Sequence, residues 1–319
     1  MTVSSRTEPE PELDFSGIEL LPLAEAEQIA TRWLRPFLAS PEQEPKTFHP
    51  HTLQFISCVL RSYPRQMAAA AGGDAAVPPI VHPKQLVEGK MPVALANGCS
   101  LIRLWQHRVE GSEAFVAKTV QQEMDRLARA HQEPGQDDHL GILASFQAYL
   151  LLCLTAYFLP LQGQPAELFN DVAMMALQET ASRLAQSGLV CRAETTGSRP
   201  RWETWIVAAA KRRSLLAFYL FSNVYNAERQ LPNYVASELR DLLAPEPKRL
   251  WAAASRAEFE LEYARHVARW HDGPFLLSEL WRSPESGSAA RRERLDRWVE
   301  TIDTFGMFVF TICAHIHGC

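Results

Sequence analysis

Two carboxylates and an imidazole recur at a spacing that could bind a metal ion. Glu258, Glu262 and His266 follow one another at four-residue steps, so a helix would present all three on one face. The competing interpretation is a solvated face, on which neighbouring arginines form ion pairs with the two glutamates. We favour the solvated face, because the sequence offers no complementary ligands near these three residues.

A second group of potential metal ligands alternates along the last residues of the sequence. Residues at two-residue steps point in different directions around a helix, so these side chains would not converge on one ion. The group consists of Cys313, His315, His317 and Cys319. From both groups together we predict no bound metal and no cofactor.

Three consecutive basic residues, Lys211, Arg212 and Arg213, stand directly before an apolar run that begins at Leu215. Three basic residues make a small footprint for a nucleic acid. A buried charge without a partner is strongly unfavourable, so a basic side chain this close to a core must be paired or must reach solvent. We therefore predict that Arg212 or Arg213 lies in a buried ion pair.

Aromatic and polar side chains on the central helices could line a pocket for a small molecule. At helical spacing such residues belong more often to the core than to a ligand cage, so the pocket is a hypothesis. Its candidate residues are Trp105, Gln147, Tyr149, Tyr157, Tyr219 and Tyr225. No catalytic residue is assigned, because the sequence has no phosphate-binding glycine loop, no nucleophile-serine turn and no paired-histidine zinc helix.

Along most of the sequence, apolar residues recur at the three- and four-residue spacing of a helix. No run of alternating apolar and polar residues is long enough to predict a strand. We predict an all-α protein, a large irregular multi-helix domain with long connecting loops. Residues 1–16 are predicted to be a disordered acidic tail, and residues 17–319 a single helical domain. Predicted helices cover 23–38, 49–61, 140–158, 166–186, 201–226, 236–243, 247–270 and 290–315, and two more begin near Leu95 and Ser112.

The stretch from Ala68 to Pro92 is rich in alanine, glycine and proline and cannot hold a regular element. We expect it to pack as an extended strap over the helices. The uncharged stretch 141–166 contains glutamines and a proline, which leave less than the ~20 apolar residues that a spanning helix needs. We therefore predict a buried core helix there and no membrane contact.

Composition is that of an ordinary globular protein, with 47% hydrophobic and 22% charged residues among 319. The formal charge of -5 argues weakly against a DNA-binding surface. Six dispersed cysteines indicate reduced thiols in a nuclear or cytoplasmic protein, and no secretory signal precedes the domain.

One ordered series of motifs is more specific than composition. It begins with Arg-Trp-Glu-Thr-Trp-Ile at 201–206 and Ala-Lys-Arg-Arg-Ser at 210–214, continues through Pro232, and reaches Leu-Trp-Ala-Ala at 250–253. Over residues 48–282 this succession resembles the middle homology region, the regulatory part, of fungal binuclear zinc cluster transcription factors. The resemblance implies structural roles for Trp202, Trp205, Arg212, Arg213 and Trp251.

The DNA-binding head of that family carries two cysteine groups of the C-x2-C-x6-C kind, and no such spacing occurs in this sequence. The resemblance thus implies a transcriptional regulator without a DNA-binding head of its own, placed by the resemblance in fungal secondary metabolism. It would act through a protein partner or homodimer, or by sensing a small hydrophobic ligand, and specific DNA binding by this chain is not expected.

Two other hypotheses remain open. The helical scaffold could have been re-used as an enzyme or as a binding protein for a hydrophobic metabolite, since a fold does not determine a function. Alternatively, the sequence could be a fragment whose zinc cluster lies upstream of Met1. An enzyme is the less favoured reading, because no residue stands out as catalytic.

Overall fold

A computed structural model describes residues 12–37, 45–70, 77–86, 91–130, 138–161 and 168–318. Within these ranges helices dominate and the only sheet is a two-stranded one, which confirms the all-α prediction. The helices are α1 (Pro50–Ala69), α2 (Val93–Gln106), α3 (Glu113–Ala130), α4 (His139–Phe158), α5 (Asp171–Gln186), α6 (Arg192–Thr195), α7 (Trp202–Glu228), α8 (Lys248–Trp251), α9 (Arg256–Arg269), α10 (Ala289–Val299) and α11 (Thr304–His317).

Helices α4 and α7 form the centre of the protein. Both are apolar around most of their circumference, a pattern that requires burial on all sides. Helices α1, α2, α3 and α5 pack against α4, while α1 and α5 also pack against α7. Among the described residues α4 is the one helix long and apolar enough to cross a membrane, but 72% of its apolar window is buried inside the protein. It is the core helix expected over 141–166.

Helix α1 extends further than the sequence predicted. We expected it to stop before Pro64, but it continues to Ala69 with Pro64 inside. A proline in a helix removes one hydrogen bond and crowds the preceding turn, at a cost of about 3 kcal/mol. Tyr63 and Met67, on either side of Pro64, are buried in the core, and their burial offsets that cost.

Two long predicted helices are each divided in the structure. The predicted helix 247–270 separates into α8 and α9, and 290–315 separates into α10 and α11. Each second helix begins with a side-chain cap. Ser255 accepts a hydrogen bond from the Glu258 backbone N–H at 3.2 Å, and Asp303 accepts one from Gly306 at 2.9 Å. Capping therefore prevails over continuous helical periodicity at both points.

Two predicted helices are 3-10 segments instead. The range predicted as a helix over 23–38 contains 3-10 segments at Ala26–Ile29 and Arg32–Phe37, and 236–243 contains one at Ser237–Leu239. Pro36 lies inside the second of these segments and cannot donate an α-helical hydrogen bond. Such short segments tighten the chain where it turns over the core.

The expected strap is only partly present, because Ala68 and Ala69 belong to α1. Within residues 77–86 the side chains of Ile80, Val81 and His82 are buried, and Pro83–Leu86 forms a 3-10 turn. Residues 71–76 and 87–90, which were also predicted to belong to the strap, lie outside the described residues.

A two-residue antiparallel pair, missed by the sequence analysis, joins the start of the chain to the end of α5. Strand β1 (Leu20–Leu21) pairs with β2 (Val190–Cys191). Gly188 precedes β2 with φ 100°, and a Cβ there would lie 2.7 Å from the Leu20 carbonyl carbon. Only glycine fits this close approach.

Residues 1–11 of the predicted tail lie outside the described residues, and its remaining part lies against the start of α7. The Arg201 guanidinium donates to the carbonyl oxygens of Asp14 at 2.9 Å and Ser16 at 3.1 Å.

Candidate ligand-binding clefts

Arg212 and Arg213 occupy a buried network of ion pairs in the middle of α7. Arg212 contacts Glu194 at 3.1 Å and Glu246 at 2.7 Å, and Arg213 contacts Glu246 at 3.1 Å and Asp303 at 2.7 Å. The ion pairing expected for these arginines is therefore present. Two guanidinium groups and three carboxylates fix α6, the segment before α8 and the start of α11 onto α7.

The tryptophans of the family-like motif pack around the same centre. The Arg213 Cζ atom lies 3.8 Å from the centroid of the Trp251 ring, a cation–π arrangement. Trp205 lies 6.4 Å from Trp251 and 5.3 Å from Phe259, and Trp202 stacks on Phe259 at 6.0 Å. These contacts pack the first half of α7 against α8 and α9.

Two of the six pocket candidates are placed in the packed core. Gln147 is fully buried, donates to the Ile80 carbonyl at 2.6 Å and accepts from Gln85 at 3.0 Å. The Tyr149 hydroxyl donates to the Ala173 carbonyl at 3.4 Å, and burial raises the pKa of this phenol. Neither side chain lines a cleft described below.

At the C-terminal end of α7 the core becomes a cluster of aromatic rings. Phe221 lies 5.1 Å from Tyr157 and 5.2 Å from Phe169, while Phe169 lies 5.4 Å from Tyr225. These mostly edge-on arrangements are the preferred geometry for aromatic pairs. The cluster positions Tyr225 and Tyr157, each of which lines a different cleft.

The first cleft, on the Tyr225 side, has a volume of about 580 Å³ and is open to solvent. It lies between the 3-10 segment Arg32–Phe37, the first turns of α5, the last turns of α7 and the loop that follows α7. Its lining residues are Arg32, Trp33, Arg35, Pro36, Phe37, Asp171, Met174, Met175, Gln178, Ser222, Tyr225, Asn226, Arg229, Leu231, Pro232 and Tyr234.

One polar group of the first cleft centres on Asp171. The Tyr225 hydroxyl donates to Asp171, and the Arg229 Nε lies 3.2 Å from the same carboxylate oxygen. The Arg229 guanidinium also stacks on the Tyr225 ring at 3.7 Å. Asp171 thus has both a phenol and a guanidinium as partners.

A second polar group centres on the buried carboxylate of Glu238. Arg32 lies 2.8 Å and Arg35 3.0 Å from its two oxygens, and the Tyr219 hydroxyl donates to it at 2.6 Å. Burial acts to raise the pKa of Glu238, but the two guanidiniums and the hydrogen bonds to the carboxylate together outweigh it, and the pKa falls below its ordinary value. Tyr219, another pocket candidate, does not line the first cleft but lines a separate, smaller cavity of about 90 Å³.

The second cleft, on the Tyr157 side, has a volume of about 960 Å³ and lies between α1, α2, α3 and the end of α4. Trp105 lines it and donates from Nε1 to the Leu159 carbonyl at 2.8 Å. The Tyr157 hydroxyl donates to Glu228. Burial is the main cause that raises the pKa of Tyr157, and the hydrogen bond to the Glu228 carboxylate is the second. Arg229 lines both clefts.

Several members of the two groups of potential metal ligands have other partners. Glu258 accepts from the Ala254 backbone N–H at 2.8 Å, and Glu262 pairs with Arg265 at 2.6 Å. The His315 Nδ1 lies 2.8 Å from the Thr52 hydroxyl. Across the described residues, which do not include Cys319, no group of three or more histidine, cysteine, aspartate or glutamate side chains is arranged to hold a metal ion.

Of the polar residues that line the first cleft, only Tyr225 was predicted from the sequence. Arg32, Arg35, Asp171 and Arg229 come from three segments far apart in sequence, so no local spacing connects them. The one local signal was the string Arg-Trp-Leu-Arg-Pro-Phe at 32–37, which mixes basic and aromatic residues around a proline.

Comparisons with known proteins add no relative to this description. A scan of protein-family models, a search of curated proteins and a search of solved structures each returned no match to the chain.

Proposed function

We propose that the chain is a ligand-responsive regulatory protein of the kind its sequence resembles, and that a small hydrophobic molecule binds in the first cleft. The observation that carries this proposal is the cleft itself. Its volume of about 580 Å³ falls within the ~300–1,000 Å³ typical of small-molecule sites. Its walls combine apolar side chains with a few polar groups held in fixed positions, as ligand sites do.

Exposed aromatic side chains at the cleft support the same conclusion. Trp33 is 40% and Phe37 66% exposed, and both line the first cleft. Large aromatic side chains dominate the energetics of cores and interfaces, so leaving two of them at one opening favours an occupant there. A hydrophobic ligand would remove their surface from water.

The position of the cleft suggests how binding could regulate the protein. An occupant would touch the 3-10 segment Arg32–Phe37, α5 and α7 at once. A ligand shifts a conformational equilibrium only by its differential affinity for the two states, and a site built from three segments changes whenever they move relative to one another. In this proposal a protein partner or a second copy of the chain binds one of the two conformations in preference to the other, in the nucleus or the cytoplasm.

The proposal is tested by fusing the chain to a heterologous DNA-binding domain upstream of a reporter gene. Hydrophobic metabolites that raise the melting temperature of the purified protein are then added to the cells. Met175→Trp fills the first cleft from α5, and Ser222→Phe fills it from α7. Val172→Trp is the matched control, because Val172 is on the same helix as Met175 but is 68% exposed and does not line the cleft.

We expect reporter output to change with the stabilising compound in wild type and in Val172→Trp, and not in the two filled variants. A compound that stabilises the protein but changes output in no background would contradict the regulatory role. Chemical conversion of the compound by purified protein would favour the enzyme hypothesis instead.

A further inference from the structure

We infer that the first cleft selects amphipathic monoanions, with the anionic head at Arg35 and an apolar body between Trp33 and Met175. This inference rests on the proposed function and specifies its ligand class. The head could be a carboxylate or a sulfonate, since both are planar or compact oxyanions that accept from a guanidinium.

The balance of charge at the cleft is the first argument. Arg32, Arg35 and Arg229 are the basic residues that line it, and Asp171 is the one acidic residue among them. Asp171 is matched by Arg229, with which it forms an ion pair at 3.2 Å. Beneath the wall, Glu238 is shared by Arg32 and Arg35. Three guanidiniums therefore face two carboxylates, and one positive charge remains.

Geometry places the remaining charge at Arg35. Arg32 is committed to the wall, because it donates to Glu238 at 2.8 Å and to the Tyr234 carbonyl at 2.7 Å, with 9% of its side chain exposed. Arg35 shares the same carboxylate, donates otherwise to the neutral amide of Gln28 at 3.2 Å, and has 20% of its side chain exposed. Of the two, Arg35 is the guanidinium that an incoming anion can reach.

The apolar side chains that line the cleft indicate an apolar body for the ligand. Met174 and Met175 on α5 face the same space as Trp33 and Phe37. Methionine side chains are flexible and polarisable, and they adapt to irregular apolar partners and to aromatic rings. The cleft therefore combines an adaptable apolar surface with a partly exposed guanidinium.

The test compares two probes with the same apolar body. 8-Anilinonaphthalene-1-sulfonate carries an anionic head, and N-phenyl-1-naphthylamine is the same molecule without it. Both are titrated into the full chain and followed by fluorescence. The variants are Arg35→Gln, the charge-preserving Arg35→Lys, and Met175→Trp. Lys118→Gln removes one positive charge from the second cleft and controls for general electrostatic attraction.

We expect Arg35→Gln to weaken binding of the sulfonate probe roughly tenfold, the effect of losing one charge-assisted hydrogen bond, and to leave the neutral probe within about twofold. Arg35→Lys keeps the charge and should retain more of the sulfonate binding than Arg35→Gln does. Lys118→Gln should bind both probes like wild type. If Arg35→Gln does not fold, Met175→Glu against Met175→Gln gives the same comparison, because the glutamate cancels the surplus charge.

Each contrary result has a distinct meaning. Met175→Trp could weaken binding of both probes while Arg35→Gln changes the binding of both by the same factor or not at all. In that case the cleft binds ligands without selecting anions. The inference then fails and the proposed function survives. If Met175→Trp leaves both probes unaffected, the first cleft is not the binding site, and the proposed function fails with the inference.

Discussion

At the scale of single residues, buried charges determine which substitutions the protein tolerates. Arg213 has a fully buried side chain, pairs with Glu246 and Asp303, and lies over Trp251. Removing one partner of a buried ion pair leaves the others uncompensated in a poorly solvated environment. The loss is much larger than the net contribution of the intact pair.

We therefore predict that Arg213→Met lowers the free energy of unfolding by about 3–5 kcal/mol in urea titrations. The control is Arg265→Met, which removes an exposed pair with Glu262 and should cost about 0–1 kcal/mol. Similar small losses for both variants would contradict a structural role for the buried network.

Lys211 is a buried base whose hydrogen-bond partners among the described residues include no carboxylate. Its Nζ lies 2.7 Å from the Ser187 hydroxyl, 3.1 Å from the His139 Nδ1 and 3.3 Å from the Gly188 carbonyl. Burial lowers the pKa of Lys211 from 10.5 to about 7, and the charge of Asp138 opposes this shift only in part. Between these two pKa values the unfolded chain binds a proton that the folded chain does not.

The Lys211 contribution to the free energy of unfolding should therefore rise with pH from about 7 to about 10.5 and be constant below that window. We predict that the difference between wild type and Lys211→Met rises by on the order of 1 kcal/mol per pH unit there. Subtracting the variant cancels the titration of tyrosines and cysteines common to both. Parallel stability curves from pH 7 to pH 10 would show that Lys211 keeps its proton.

At this scale the sequence could predict that a residue needs a partner, but it could not identify a partner far away along the chain. The need for ion pairs at Arg212 and Arg213 followed from their position beside an apolar run. Their partners did not, because Glu246 and Asp303 lie 33 and 90 residues from Arg213. The first cleft shows the same pattern, since Tyr225 on α7 was identified and Arg35 and Asp171 were not.

At the scale of elements, close backbone approaches and caps set where the chain turns. Gly188 and Gly197 both have positive φ, at 100° and 67°. A Cβ at Gly188 would collide with the backbone of Leu20 in β1, whereas a Cβ at Gly197 would meet nothing within 4 Å. Both glycines therefore adopt a backbone conformation that other residues rarely adopt. Only Gly188 also lacks the space for a side chain.

We predict that Gly188→Ala costs about 1–3 kcal/mol more than Gly197→Ala, because it adds overpacking to the conformational strain that both variants carry. Thermal unfolding of the two variants measures this difference directly. Equal melting temperatures would mean that β1 moves away without cost, and that the pairing of β1 with β2 does not stabilise the fold.

The existence of the helices was predictable from hydrophobic periodicity, and their ends often were not. Helices α4 and α7 match their predicted ranges to within a few residues, because each is bounded by proline, glycine or a capping residue. Helix α1 passes through Pro64, since tertiary burial outweighs the local penalty. The divisions at Ser255 and Asp303 carried capping signals in sequence that the apolar periodicity obscured.

At the scale of the whole molecule, net charge bears on the expected mode of regulation. The formal charge of -5 gives no general attraction to a polyanion. Lys211, Arg212 and Arg213, the longest basic run noted in the sequence, are buried, so they offer no surface to a phosphate backbone.

We predict that the purified chain does not shift duplex DNA in a sequence-dependent manner. Electrophoretic assays at several salt concentrations with a pool of random duplexes provide the measurement. Salt-resistant enrichment of one sequence would contradict the prediction, since non-specific electrostatic binding weakens steeply as salt rises.

The first cleft, between the segment Arg32–Phe37, α5 and α7, is the proposed binding site for a small amphipathic molecule. The most direct measurement is an experimental electron-density map of the protein crystallised with 8-anilinonaphthalene-1-sulfonate. We expect density for the naphthalene rings against Met175 and Trp33, with the sulfonate at Arg35. Density confined to the second cleft or to other surfaces, with the first cleft empty, would contradict it.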